Sequence, residues 1–208
     1  MLGDINLVLI LLAGLAVMSS PGPATLAIAD TSISLGRRHG LALASGITLG
    51  SIIWSVAAAL GLGALMASHV WAFEVLRYIG AIYLLFLAVK SAKSALKPST
   101  VFKAEPVCLN LKQAFAKGLA LHLTNPKAIL FFGSLYAIGL PHGASPMALL
   151  IVVCALGGLA ALLFHGYALV FSSAPMVAVY VRMRCGFEAV FAIAFGGAAF
   201  KIFTTRLG

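Results

Sequence analysis

Ser19-Ser20-Pro21-Gly22-Pro23 lies inside an apolar run that begins near Ile5 and ends at about Ser34. Neither proline carries a backbone N–H, so the carbonyls of Val17 and Ser19 lose their helical donors, and Gly22 adds conformational freedom between them. A helix entering this stretch must break. In hydrocarbon an unsatisfied backbone group costs several kcal/mol, so a break at membrane depth survives only where it faces protein or a water-filled cavity. A plain proline kink is the bland alternative; two prolines around a glycine, preceded by two serines, point instead to a functional break beside a cavity.

The rest of the chain places this stretch in a membrane. Of 208 residues, 62% are hydrophobic and 9% charged, against roughly 25% charged in soluble domains. Apolar runs at about 5–33, 41–67, 71–92, 114–140, 146–173 and 186–204 each suffice for a hydrocarbon core of about 30 Å, which takes roughly 20 helical residues. The expected fold is an all-α integral membrane protein, one transmembrane domain over residues 1–208 with six transmembrane helices. The formal charge of +9 sits at span edges, which argues against nucleic acid as a partner and for membrane lipid. If the spans alternate, ten Lys and Arg residues share one side, among them Arg37, Arg38 and those of the loop Lys97 to Lys117; Arg77, Lys201 and Arg206 share the other. The basic side should be cytoplasmic, so both termini face outward. Met1 to Asp4 lack the basic residues of a cleaved signal peptide, and the first run reads as a retained span. Cys108, Cys154 and Cys185 are scattered, with neither metal-ligand spacing nor a disulfide framework, and Cys154 reads as buried apolar filler.

Asn125-Pro126-Lys127 repeats the opening anomaly within the fourth run. Pro126 frees the carbonyl of His122, and a lysine near the bilayer centre costs about 2.5–3.5 kcal/mol on insertion scales, so Lys127 marks either a pathway or a buried structural pair. The two broken spans are the first and fourth. Three spans per half, an odd number, place the halves in opposite orientations, as two inverted three-helix repeats over about 1–97 and 112–208. Other polar residues within spans are weaker signals. Gly46 and Gly50 have the G-x-x-x-G spacing of close helix packing, and Trp54 follows Gly50 on the same face, lining a cavity or packing. Asp30 is the single carboxylate well inside a span and lies two turns beyond Pro23. It is a proton-coupling candidate or a solvated interfacial acid; His122 and His165, at similar depth, are further candidates, against ordinary packing histidines.

Pro21-Gly22-Pro23, Gly36-Arg37-Arg38-His39-Gly40, Gly80-Ala81-Ile82-Tyr83-Leu84, and Gly118 followed by Asn125-Pro126-Lys127-Ala128 resemble the LysE/RhtB-type amino-acid translocators over nearly the whole chain. The resemblance implies a multi-pass exporter of the bacterial cytoplasmic membrane that moves a small amino acid or a derivative and is coupled to the proton motive force; the charge division puts both termini in the periplasm. A zwitterion fits the freed carbonyls, the helix start near Ala24 and the Lys127 ammonium, so the substrate-binding candidates are Ser19, Ser20, Pro21, Gly22, Pro23, Asn125, Pro126 and Lys127. A homo-oligomer is compatible with the resemblance. Two departures bear on the substrate: Ser134-Leu135-Tyr136-Ala137-Ile138-Gly139 replaces a Pro-Gln-Phe-like segment, and Asp30 is not part of the general pattern. No cofactor is implied, and the chain has no Walker A sequence. The rivals are an exporter of a metal cation or toxicant, which lacks clustered ligands here, and an intramembrane enzyme or assembly factor, which lacks a nucleophile–base or carboxylate pair.

Overall fold

The computed structural model describes residues 7–20, 22–68, 70–96, 109–140 and 144–173, and scattered helical positions between 175 and 204. Pro21, both chain ends and the part of the basic loop from Lys97 to Cys108 lie outside the described residues. The delimited helices are α1 (Leu7–Ser19), α2 (Pro23–Leu35), α3 (Arg37–Ser68), α4 (Val70–Ala95), α5 (Leu111–Leu123), α6 (Pro126–Gly139) and α7 (Pro146–Val170). Among the described residues the fold is all-helical.

The first and fourth apolar runs are each two half-helices. α1 and α2 have 13 residues apiece and meet at a bend of 53°; α5 and α6 have 13 and 14 and are joined through Thr124 and Asn125. Both second halves begin alike, with an extended N-cap residue, Gly22 or Asn125, followed by proline at the first helical position. Proline suits that position because its missing N–H would have no intrahelical partner anyway. Between α2 and α3, Gly36 adopts φ 83° and donates its N–H to the Ser32 carbonyl, a left-handed turn that a side chain would strain. α3, over Arg37–Gly61, and α7 are each long and apolar enough to cross a membrane, and the bent pair α1–α2 makes a third span if counted as one.

Polarity is inverted relative to a soluble protein. Leu12, Leu60, Ile82, Phe86 and Leu162 face outward, while Ser20, Thr25, Ser51, Ser55, His122 and Asn125 are buried. A lipid solvent explains the outer surface, and burial of polar side chains between helices gives them partners. Cys154 is exposed on α7 instead of buried; a thiol is apolar enough for a lipid-facing position.

α3 is the central helix and packs most extensively against α5, then α7. Its approach to α5 is reciprocal. A Cβ on Gly46 would lie 2.1 Å from the Phe115 carbonyl oxygen, and one on Gly118 2.2 Å from that of Leu43. The two backbones touch where neither helix has a side chain. One face of α3 also carries hydroxyls at Ser45, Thr48, Ser51 and Ser55, spaced by three or four residues. Three of them reach across: Ser45 to His165 on α7 (3.0 Å), Ser51 to His122 on α5 (3.0 Å), and Ser55 to the Tyr136 hydroxyl on α6 (2.7 Å). Such bonds contribute about 0.6 kcal/mol each on average in a membrane bundle, so they orient side chains more than they hold helices together.

Candidate functional site

The two breaks meet. Asn125 caps α6: its side-chain oxygen accepts the Lys127 N–H at 3.0 Å, and its carbonyl accepts from Ala128 and Ile129. Asn-Pro-Lys is thus N-cap, first and second residue of a helix, a local fold its residue types favour. That register leaves the lysine charge at the positive end of its own helix, an unfavourable place. The side chain crosses to the negative end of α1, where Nζ donates to the Ser20 carbonyl at 3.1 Å and also to the Ser20 hydroxyl.

Three further carbonyls at the end of α1, those of Ala16, Val17 and Ser19, are also occupied. Ser20 Oγ donates to Val17 O at 3.0 Å, the Ser20 N–H to Ala16 O at 3.1 Å, and the Tyr167 hydroxyl to Ser19 O at 3.1 Å. At the second break, His122 O accepts from Asn125 N at 3.2 Å and from Trp54 Nε1 at 3.3 Å. The carbonyls that the prolines deprive of helical donors therefore have internal partners, and none stands open to a ligand in this conformation.

The start of α2 differs. Gly22 provides no side-chain cap, and its extended backbone leads into Pro23 and then to the amides of Ala24 and Thr25. Gly22 lies against the lysine: a Cβ there would be 3.4 Å from Lys127 Nζ and 3.5 Å from Cδ. Between the breaks is a cavity of about 30 Å³, whose polar lining comes from Ser20, Gly22, Thr25, Ser51, His122, Asn125 and Lys127. Phe131, Phe132 and Phe164 contribute to its apolar wall. That volume admits about two waters, well short of an amino acid.

Of the residues singled out in the sequence, Ser20, Gly22, His122, Asn125 and Lys127 line this cavity together. Ser19 takes part through its carbonyl; Pro23 and Pro126 set the two helix starts; Pro21 is outside the described residues. Gly50 backs the site, since a Cβ there would be 3.0 Å from His122 Cβ. Trp54 is not among the lining residues and serves the His122 carbonyl from outside the cavity. Asp30 is half-buried on α2, away from the lining. His165 is also elsewhere, with Nδ1–H donating to Ala161 O at 2.8 Å and Nε2 on Ser45. Thr25, Ser51 and Tyr167 were not singled out. The available signal for Ser51 was the three-to-four-residue hydroxyl spacing along α3.

Residues 15–205 match the family described as LysE type translocator. The chain belongs to that family. Among its curated relatives, it is 31% identical over 126 residues to the threonine efflux protein of Escherichia coli K12, covering 60% of this chain and 61% of the relative. It is 34% identical over 137 residues to the leucine efflux protein of Klebsiella pneumoniae, covering 64% and 63%. An uncharacterized membrane protein of Pseudomonas aeruginosa is 37% identical over 125 residues, 58% of this chain and 57% of the relative. The chain thus spans 61% of the length of the first of these relatives. No solved structure matches it. As a LysE type translocator, the chain brings the two motifs named above into one polar junction.

Proposed function

We propose that this protein exports a small amino acid or a close derivative across the bacterial cytoplasmic membrane, driven by the proton motive force. The observation that carries the reading is the junction itself: Lys127 of one broken helix bound to Ser20 at the break of the other, beside a cavity lined from both breaks. An ammonium on a backbone carbonyl is the contact that a substrate amino group would make, and Lys127 makes it internally. The substrate carboxylate has a complementary place. It meets the uncapped amides at the start of α2 and the Lys127 ammonium, as helix N-termini and cations favour anions. Drawing Lys127 toward that carboxylate releases Ser20, and the helices on either side must separate to enlarge a cavity of about 30 Å³.

The same reading includes six spans in two inverted halves, about 1–97 and 112–208. It is supported by contacts that persist when the halves are exchanged. α1 meets α6 as α2 meets α5, α3 meets α6 as α7 meets α2, and α3 meets α5 as α7 meets α1. The pair α2–α3 departs from this scheme, having no comparable α6–α7 contact among the described residues. Relatives named for threonine and leucine efflux support small neutral amino acids as the substrate class. The test is efflux of a labelled amino-acid panel from cells with and without the protein. Faster loss of a few small neutral amino acids is expected; unchanged loss across the panel with altered tolerance to a metal or toxicant would establish the rival solute class.

A further inference from the structure

His122 has a side-chain nitrogen that the fold leaves without a partner. The residue is 5% exposed, and its Nδ1 has no hydrogen-bond partner among the described residues, whereas Nε2 lies 3.0 Å from Ser51 Oγ. Ser51 donates its one hydroxyl hydrogen to Ile47 O at 3.1 Å, so toward the imidazole it accepts. With Ser51 in that role Nε2 carries the hydrogen, which is the tautomer whose Nδ1 is a bare lone pair. A Cβ on Gly50 would sit 3.2 Å from His122 Cδ2 and 3.3 Å from Cγ. The Cδ2–Nε2 edge thus packs on α3, with Nδ1 on the opposite edge of a ring that lines the cavity. An unused acceptor buried on a residue that lines the cavity is costly to retain without a purpose.

Resting on the amino-acid reading above, we propose that His122 Nδ1 accepts the substrate ammonium, and that proton and substrate compete for this one lone pair. A neutral imidazole receives an ammonium N–H. A protonated one presents two donors and a positive charge, and repels the same group. The charged side chain sharing the cavity, among the described residues, is Lys127 on α6; the lining residues from α1, α2, α3 and α7 bring no charge. Asp30 and His165 stand outside the lining. With Lys127 holding the carboxylate, the two ends of a zwitterion are separated between the half-helix start of α2 and α5. Competition at one atom gives exchange: a proton arriving from the outward side displaces the ammonium, and its loss to the cytoplasm restores the acceptor.

The full-length protein, reconstituted in liposomes loaded with labelled threonine or leucine, tests this across a range of internal pH. Wild-type efflux should fall as the internal pH is lowered far enough to protonate His122. His122→Asn keeps an acceptor near the Nδ1 position but does not titrate there, so the efflux it supports should lack the acid limb. His122→Leu should raise KM about tenfold or more, the worth of a hydrogen bond to a charged group, with a smaller change in kcat. Persistence of the acid limb in His122→Asn, or an unchanged KM in His122→Leu, overturns the inference while leaving amino-acid export intact. A wild-type protein that moves neither amino acid overturns the function and this inference together.

Discussion

At Lys127 the bland and functional roles predict opposite results. A lysine in hydrocarbon costs about 2.5–3.5 kcal/mol, and removing its ammonium leaves the Ser20 acceptors without that donor at about 1–3 kcal/mol. These nearly cancel, so Lys127→Met should leave the amount of folded protein in the membrane close to wild type. Export should fall at least tenfold, because a charge-assisted contact to a carboxylate is worth about 1.5–3 kcal/mol and each 1.36 kcal/mol is a decade in rate. Asp30→Asn is the comparison. It lies off the cavity lining, and export at the wild-type level is expected. The check is efflux per folded protein; parallel loss of folding and export in Lys127→Met would make the lysine structural. The presence of a half-buried cation was legible in the sequence because a charge inside an apolar run is rare. Its acceptor, Ser20, was legible only as part of the break, since the crossing of α6 to α1 is a tertiary event.

At the scale of elements, proline chemistry made both breaks readable, and the helix starts fall at Pro23 and Pro126. The fate of the freed carbonyls was not readable. Tyr167 and Trp54 supply donors from α7 and α3, and a tyrosine or tryptophan in a span reads equally well as packing or as an interface anchor. Hydroxyls are similarly silent, because a helical serine or threonine satisfies itself on its own i−4 carbonyl; Ser51 does this and still receives His122. The glycines separate more sharply in three dimensions than in the sequence. Gly46→Ala forces a methyl against the Phe115 carbonyl and the Leu119 amide, at 2.1 and 2.8 Å, where only backbone could yield. Gly133→Ala on α6 meets nothing within 4 Å. Overpacking costs about 1–3 kcal/mol, whereas alanine in an open helical site gains up to about 1 kcal/mol. Thermal unfolding of the purified protein in detergent should therefore show a lower midpoint for Gly46→Ala and an equal or higher one for Gly133→Ala. Equal midpoints for the two variants would remove the α3–α5 backbone contact from the account.

For the whole molecule, orientation follows from where charge lies and from the parity of the spans. If the six apolar runs alternate, ten basic residues fall on one side against three on the other, which would set the loop between α4 and α5 in the cytoplasm, since Lys and Arg near span ends resist translocation. On the proposed six-span count the two ends would then share the periplasmic side. In the proposed six-span arrangement parity also relates the breaks: three spans would lie from one to the next, so the α1–α2 and α5–α6 pairs would run oppositely through the membrane. A five-span chain would split the termini and remove that inversion. A topology reporter active only in the periplasm should accordingly be active when fused after Gly208. A cysteine at Lys103 should be modified by a membrane-impermeant thiol reagent only after the cells are opened, in a protein whose own cysteines have been replaced. A fusion at Gly208 active only in the cytoplasm would mean that one apolar run does not cross, and the two broken helices would then have to meet without being inverted copies of each other.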